Sequence, residues 1–146
     1  MLKVTLVESD LKLINIRLLN YRLDAVLPDE LEEQKPAPEH GTPEIDFEIA
    51  RNDENGVYRI LIDLRSVAEK AGYSYSIRAA GFFSVPSSVD TENRERLVLY
   101  SALPMLISTM RSYLSEMTAH SVYGRYLLPS VDLSRLLAEW QGQEGS

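Results

Sequence analysis

The chain has 146 residues, 45% of them hydrophobic and 25% charged, enough for one domain with a substantial core and too few for two. Its formal net charge of −7, from 22 acidic and 15 basic residues, disfavours a phosphate-binding surface, so no nucleic-acid partner is expected. Cysteine is absent, which excludes disulfides, thiolate nucleophiles and cysteine-held zinc together.

No apolar run of signal-peptide length precedes Glu8 and Asp10, and no window approaches the ~20 apolar residues of a membrane span. A cytoplasmic protein with no membrane insertion is expected. In chain order, Leu11 to Leu27 reads as an extended strand. Leu19, Tyr21, Leu23, Ala25 and Leu27 alternate with Asn20, Arg22, Asp24 and Val26, the period-two pattern of a half-buried sheet. Pro28 stops it, and four prolines with a glycine between Pro28 and Pro43 make that run a crossover loop. Strand two, Glu44 to Ile49, sets Ile45, Phe47 and Ile49 on one face and three carboxylates on the other. Asn52 to Gly56 supplies residues that tolerate positive φ, which predicts a hairpin. Strand three runs from Val57 to about Val67, with Tyr58, Ile60, Ile62 and Leu64 on one side. After a turn at Ala68 to Gly72, strand four, Tyr73 to Val85, sets Tyr73, Tyr75, Ile77, Ala79, Gly81, Phe83 and Val85 against Ser74, Ser76, Arg78, Ala80, Phe82 and Ser84. Loops this short between the last three strands require antiparallel pairing.

Beyond the breaker-rich Ser84 to Asp90, a long helix is expected over Thr91 to His120, with Pro104 inside it. Leu99, Leu103, Leu106, Met110, Tyr113 and Met117 recur at alternating four- and three-residue steps, and Val98, Ala102, Met105, Ile107 and Leu114 widen the apolar surface beyond one face. Such a helix needs cover from more than one side, so those first six residues are the expected oligomer interface. A linker over 121–129 then leads to a short helix from Asp132, capped by Ser130 or Asp132, with Leu133, Leu136, Leu137 and Trp140 in one stripe. The expected fold is α+β, a single domain over 1–146: a four-stranded antiparallel sheet with a long and a short C-terminal helix on one face.

Chemistry is sparse. There is no Gly-rich phosphate loop, no metal-binding His spacing and no nucleophile elbow, so no catalytic residue, metal or cofactor is expected. His40 lies in the proline-rich loop, and His120 lies near the end of the long helix, where a basic group favours the helix dipole. Eleven of the 22 acidic residues fall between Asp24 and Glu54; a solvated loop and the outer face of strand two account for them. The alternative is a negative patch that steers a basic partner. Apolar side chains also fall on both faces of several strands, with Phe82 beside Phe83 and Val26 beside Leu27, a surplus that marks an oligomer interface or a groove for apolar peptides.

The order of elements resembles the SecB family of export chaperones, as do four short motifs. Gly81-Phe82-Phe83-Ser84-Val85 is similar to that family's Gly-Ile-Phe-Ser segment, and Leu103-Pro104 to the proline inside its long helix. Leu127 to Leu136 resembles its lead into the last helix, and Ile16-Arg17-Leu18-Leu19 part of its first strand. The resemblance implies an ATP-independent holdase for unfolded or precursor polypeptides, serving protein export or targeting. It would be a homotetramer, a dimer of dimers with the long helices layered between sheets. The matching groove residues are Leu27, Leu31, Tyr126, Leu128, Leu137 and Trp140. The preprotein translocase motor is a further implied partner, although the family's acidic motor-contact positions on the fourth strand fall here on Ser74 and Ser76. The crossover loop also lacks the family's groove-lining aromatics, which fits a dedicated chaperone for one client, such as an antitoxin. A more remote alternative is a small enzyme of the hot-dog kind, for which Glu116 and His120 are the candidate groups.

Overall fold

A computed structural model describes residues 1–6, 9–28, 38–52 and 54–144. Four strands, β1 (Lys12–Val26), β2 (Glu44–Asn52), β3 (Val57–Ser66) and β4 (Gly72–Ser84), form one antiparallel sheet in the order β1-β4-β3-β2. The hairpin between β2 and β3 turns at Gly56, whose φ of 66° favours a residue without a side chain. The crossover between β1 and β2 carries the chain past two strands, leaving β1 and β2 as the two edges.

Alternation sorts the sheet into two faces. Tyr58, Ile60, Ile62 and Leu64 of β3 and Tyr73, Tyr75, Ile77, Ala79 and Phe83 of β4 are all buried on the inner face. On β1 the pairing slips between Leu13 and Asn15 and again between Leu18 and Asn20. Each bulge adds a residue and reverses the alternation. Leu13, Ile16, Leu18, Tyr21 and Leu23 therefore stand opposite inner-face residues of β4, and Leu19 lies within a bulge.

The inner face is covered by a helix running from α1 (Thr91–Leu97) through a π-helical turn (Val98–Ala102) into α2 (Leu103–Thr118). Asp90 caps it, accepting from the Asn93 N–H at 2.9 Å. A proline inside an α-helix lacks an N–H and crowds the carbonyl four residues back, here that of Tyr100. The wider π turn immediately before Pro104 accommodates this, so the helix continues. It ends two residues before His120, where the Ala119 N–H turns back to the Glu116 carbonyl and the Ser121 N–H to that of Thr118.

Val98, Leu99, Ala102, Leu103, Leu106, Ile107, Met110 and Leu114 are buried in one cluster with the inner sheet face. Gly81 permits a close approach of helix to sheet, because a Cβ there would lie 2.8 Å from the Leu106 side chain. Burial of a leucine such as Leu106 contributes about 1.5–3 kcal/mol. The covered stripe keeps Leu99, Leu103, Leu106 and Met110 of the six residues read from the sequence and shifts only at its end, where Leu114 and Thr118 are buried and Tyr113 and Met117 half-buried. Last comes α3 (Leu133–Glu144), capped by Asp132, which accepts from the Arg135 N–H at 3.2 Å.

Candidate functional site

An open trough of about 500 Å³ lies between the free edge of β2 and the stretch that leads into α3. Ile45, Leu128, Val131 and Leu136 supply its apolar lining, while Glu44, Asp46 and Glu139 stand among its polar residues. Beyond it, the Trp140 ring stacks on Phe47 with centroids 5.0 Å apart, tying α3 to β2. Arg65 pairs with Glu44 at 3.2 Å and Asp46 at 2.6 Å, so three carboxylates and one guanidinium leave this rim net acidic. Among the described residues, β2 pairs only with β3 and no backbone hydrogen bond joins it to the linker. An extended polypeptide laid here could bond to that edge while setting alternate side chains on the apolar floor.

The linker that forms the far wall is held by the last turns of α2. Thr118 Oγ1 accepts from the Tyr126 N–H at 2.8 Å and donates to the Leu114 carbonyl at 2.8 Å. Arg125 donates to Ser115 Oγ at 2.7 Å, and Arg111 to the Pro129 carbonyl at 3.1 Å.

At the other end of the linker sits a cluster that sequence reasoning missed. The His40 ring stacks on Tyr73 at 4.9 Å with planes 3° apart and meets the Tyr126 ring edge-on at 4.7 Å. Its Nδ1 accepts from the Tyr73 N–H at 2.9 Å, which places the proton of the neutral ring on Nε2. Burial lowers the His40 pKa from its ordinary value. The Tyr73 hydroxyl accepts from the Tyr123 N–H at 3.0 Å and donates to the Gly124 carbonyl at 2.7 Å. Tyr123 in turn donates to the Val26 carbonyl at 2.7 Å, and burial pushes the Tyr75 phenol up. One tyrosine-rich clasp thus joins the end of β1, the returning limb of the crossover and the linker.

The residues read as groove-forming separate into distinct settings. Leu128, 5% exposed, lies at the floor of the trough, Leu137, 1% exposed, is a plug in the core, Trp140 is half-buried against Phe47, and Tyr126 belongs to the clasp. Leu27 is 62% exposed, and Leu31 lies outside the described residues. Ile45, Val131 and Leu136 complete the trough; the first and last stood on apolar stripes visible in the sequence. Of the residues read as an oligomer interface, Leu99, Leu103, Leu106 and Met110 are covered by the chain's own sheet, because the helix turns that side inward. Tyr113 and Met117 are half-buried, while Tyr100 and Met105 point outward. Glu116 and His120 are both exposed at the helix end. Among the described residues there is no cluster of three His, Asp or Glu that could hold a metal, and no helix long and apolar enough to cross a membrane.

No protein-family model and no curated protein matches this sequence. Among solved structures, the Mycobacterium tuberculosis Rv1957 SecB-like chaperone, in complex with a ChAD peptide from the Rv1956 HigA1 antitoxin, aligns with a TM-score of 0.57 at 20% identity. The alignment covers 84% of this chain and 91% of that one. The fold is SecB-like. A Streptococcus agalactiae protein of unknown function aligns more loosely, with a TM-score of 0.47 at 19% identity over 82% of this chain and 97% of its own. The SecB-like fold has the α+β arrangement expected from the pattern of strands and helices, and its matched structure is that of a chaperone.

Proposed function

We propose that the protein is an ATP-independent holdase that binds unfolded or precursor polypeptides in the cytoplasm. The observation that carries this reading is the trough: an apolar floor and a net acidic rim beside a strand edge that pairs with no other strand among the described residues. Such a site takes extended chains with apolar side chains and basic flanks by shape and charge, and needs no cofactor. The SecB-like fold supports the same reading.

Self-association belongs to it. Leu13, Ile14, Leu18, Leu19 and Tyr21 are exposed along edge strand β1, and an apolar edge of this length favours pairing with a second copy. A homotetramer built as a dimer of dimers would cover β1 and the outward Tyr100 and Met105. Contact with a translocase motor for export has less support, since Ser74 Oγ is engaged by the Ala68 N–H at 2.9 Å and Ser76 carries no charge.

A second reading, a chaperone dedicated to one client such as an antitoxin, is favoured by the antitoxin peptide held by the matched chaperone. Aggregation of a chemically unfolded client, followed at stoichiometric ratio without ATP and with the mass fixed by light scattering, tests the holdase. Suppression by an oligomer is expected; a monomer that leaves aggregation unchanged would overturn the proposal. Suppression for only one client among many would favour the dedicated chaperone.

A further inference from the structure

The stretch ahead of β1 has the chemistry of a ligand for the trough. Residues 1–6 belong to no helix or strand, and Leu2, Val4 and Leu6 are all exposed. They alternate with Lys3 and Thr5, so an extended backbone sets three apolar side chains on one face and the cation on the other. The first acidic residue is Glu8, and residues 1–7 carry one lysine with no opposing charge. Three apolar side chains in one row gain by leaving water together.

The trough matches both faces of that stretch. On β2, Ile45 and Phe47 pack against the core, while Glu44 and Asp46 are exposed on the opposite side. A strand added to this edge with Leu2, Val4 and Leu6 turned inward meets Ile45, Leu128, Val131 and Leu136. Lys3 then stands beside Glu44 and Asp46, which share a single arginine, Arg65. The arm cannot serve its own trough. Leu11 is buried in the core and fixes its root. Lys12, Ser84, Val57 and Asn52 form one row across the sheet, so Ile45 lies three strands over and seven residues along, roughly 27 Å away in a straight line. The chain from Leu11 back to Val4 spans at most about 25 Å, and the straight line runs through the sheet itself.

We infer that residues 2–6 of one copy dock in the trough of a second copy as an added strand, a built-in occupant that an unfolded client must displace. This rests on the reading of the trough as a polypeptide site and names its occupant when no client is present. The arm has no aromatic residue, so a client that brings one binds the apolar floor more tightly. Within an oligomer the arm's high effective concentration offsets that weakness. The site is thereby covered at rest and released by any chain with a better apolar row.

The chain has no cysteine, so a nitroxide on Thr5→Cys marks the arm alone. Chains that carry it, unfolded and refolded together with isotope-labelled chains that lack it, should broaden the Ile45, Val131 and Leu136 methyl signals of the labelled copies. Adding Leu2→Ser, Val4→Ser and Leu6→Ser to the nitroxide chain should abolish that broadening without disturbing the fold, since these side chains are exposed. Without the nitroxide, the same triple variant should bind a fluorescent, capped Gly-Leu-Lys-Val-Thr-Leu-Gly peptide about three- to tenfold more tightly than the wild type, its competitor being gone. Lys3→Glu should act in the same direction, by about two- to threefold. Broadening confined to β1, broadening only in chains that carry both labels, or an unchanged peptide affinity in the triple variant would overturn the inference. Suppressed aggregation with no arm contact overturns this inference alone. Arm contact with no suppression, by either the wild type or the triple variant, overturns the holdase alone.

Discussion

The two edges of the sheet solve the same problem differently. β1 is 15 residues long, twice bulged, and leaves Leu13, Leu18 and Tyr21 of its inner side exposed, because the long helix lies over β3 and β4 and stops short of it. β2 is 9 residues long with unbroken register, and α3 closes over Phe47 while leaving a gap farther along. An uncovered apolar edge suits a flat, permanent neighbour such as a second copy. A half-covered edge with a gap suits a ligand that comes and goes. The same unpaired backbone can thus serve assembly on one side and recognition on the other.

The largest expected effect comes from removing what holds the β2 side together. Leu137→Ala should destabilise the protomer by about 2–5 kcal/mol in urea unfolding, because a side chain 1% exposed leaves a cavity. On the β1 side, Leu18→Glu with Tyr21→Glu should release smaller species in light scattering. The protomer should lose little stability, since these residues are 37% and 59% exposed; an unchanged mass would move the assembly interface elsewhere. Trp140→Ala should weaken client binding about three- to tenfold by removing the stack on Phe47, an aromatic contact worth about 0.5–1.5 kcal/mol, and so loosening α3 beside the trough. It should cost the fold less than Leu137→Ala, and the reverse order would make Trp140 a structural pin.

The smallest effect concerns pH. The His40 pKa is lowered by burial in the folded state, so below about 6.5, the ordinary value, the unfolded chain binds the proton more readily than the folded one. Stability is therefore full above that value and falls as pH drops through the folded pKa, when Nδ1 can no longer accept from Tyr73. His40→Gln should flatten this dependence in denaturation series between about pH 7.5 and 5; an unaltered slope would assign it to other groups.

The parts of the molecule visible in the sequence are those where one pattern dominates. β2, β3 and β4 alternate cleanly because each has one buried face, and Leu133, Leu136, Leu137 and Trp140 do pack together. β1 hid its bulges because Ile14 and Leu19 are apolar like their neighbours, so nothing in the pattern marks the reversal. The long helix was read with a 3.5-residue repeat, which suits a partner helix, whereas an α-helix turns every 3.6 residues. The stripe drifts accordingly, to Leu114 and Thr118. His40 escaped notice because a proline-rich loop gives no periodicity; its partners lie 33 and more residues away.

That clasp also bears on the order in which the chain acquires its structure. Val26, His40, Tyr73 and Tyr123 meet through hydrogen bonds spanning 33 to 97 positions, all closing on one small cluster. Contacts so distant in sequence form late, after local hairpins and helices, because each must overcome loop-closure entropy first. During synthesis the returning limb of the crossover can meet Tyr73 first, but the walls made by Tyr123 and Tyr126 are missing until residue 126 has emerged. The sheet is thus expected to assemble early and the clasp to lock last, a sequence that hydrogen exchange during refolding would resolve at the Tyr73 and Tyr123 amides.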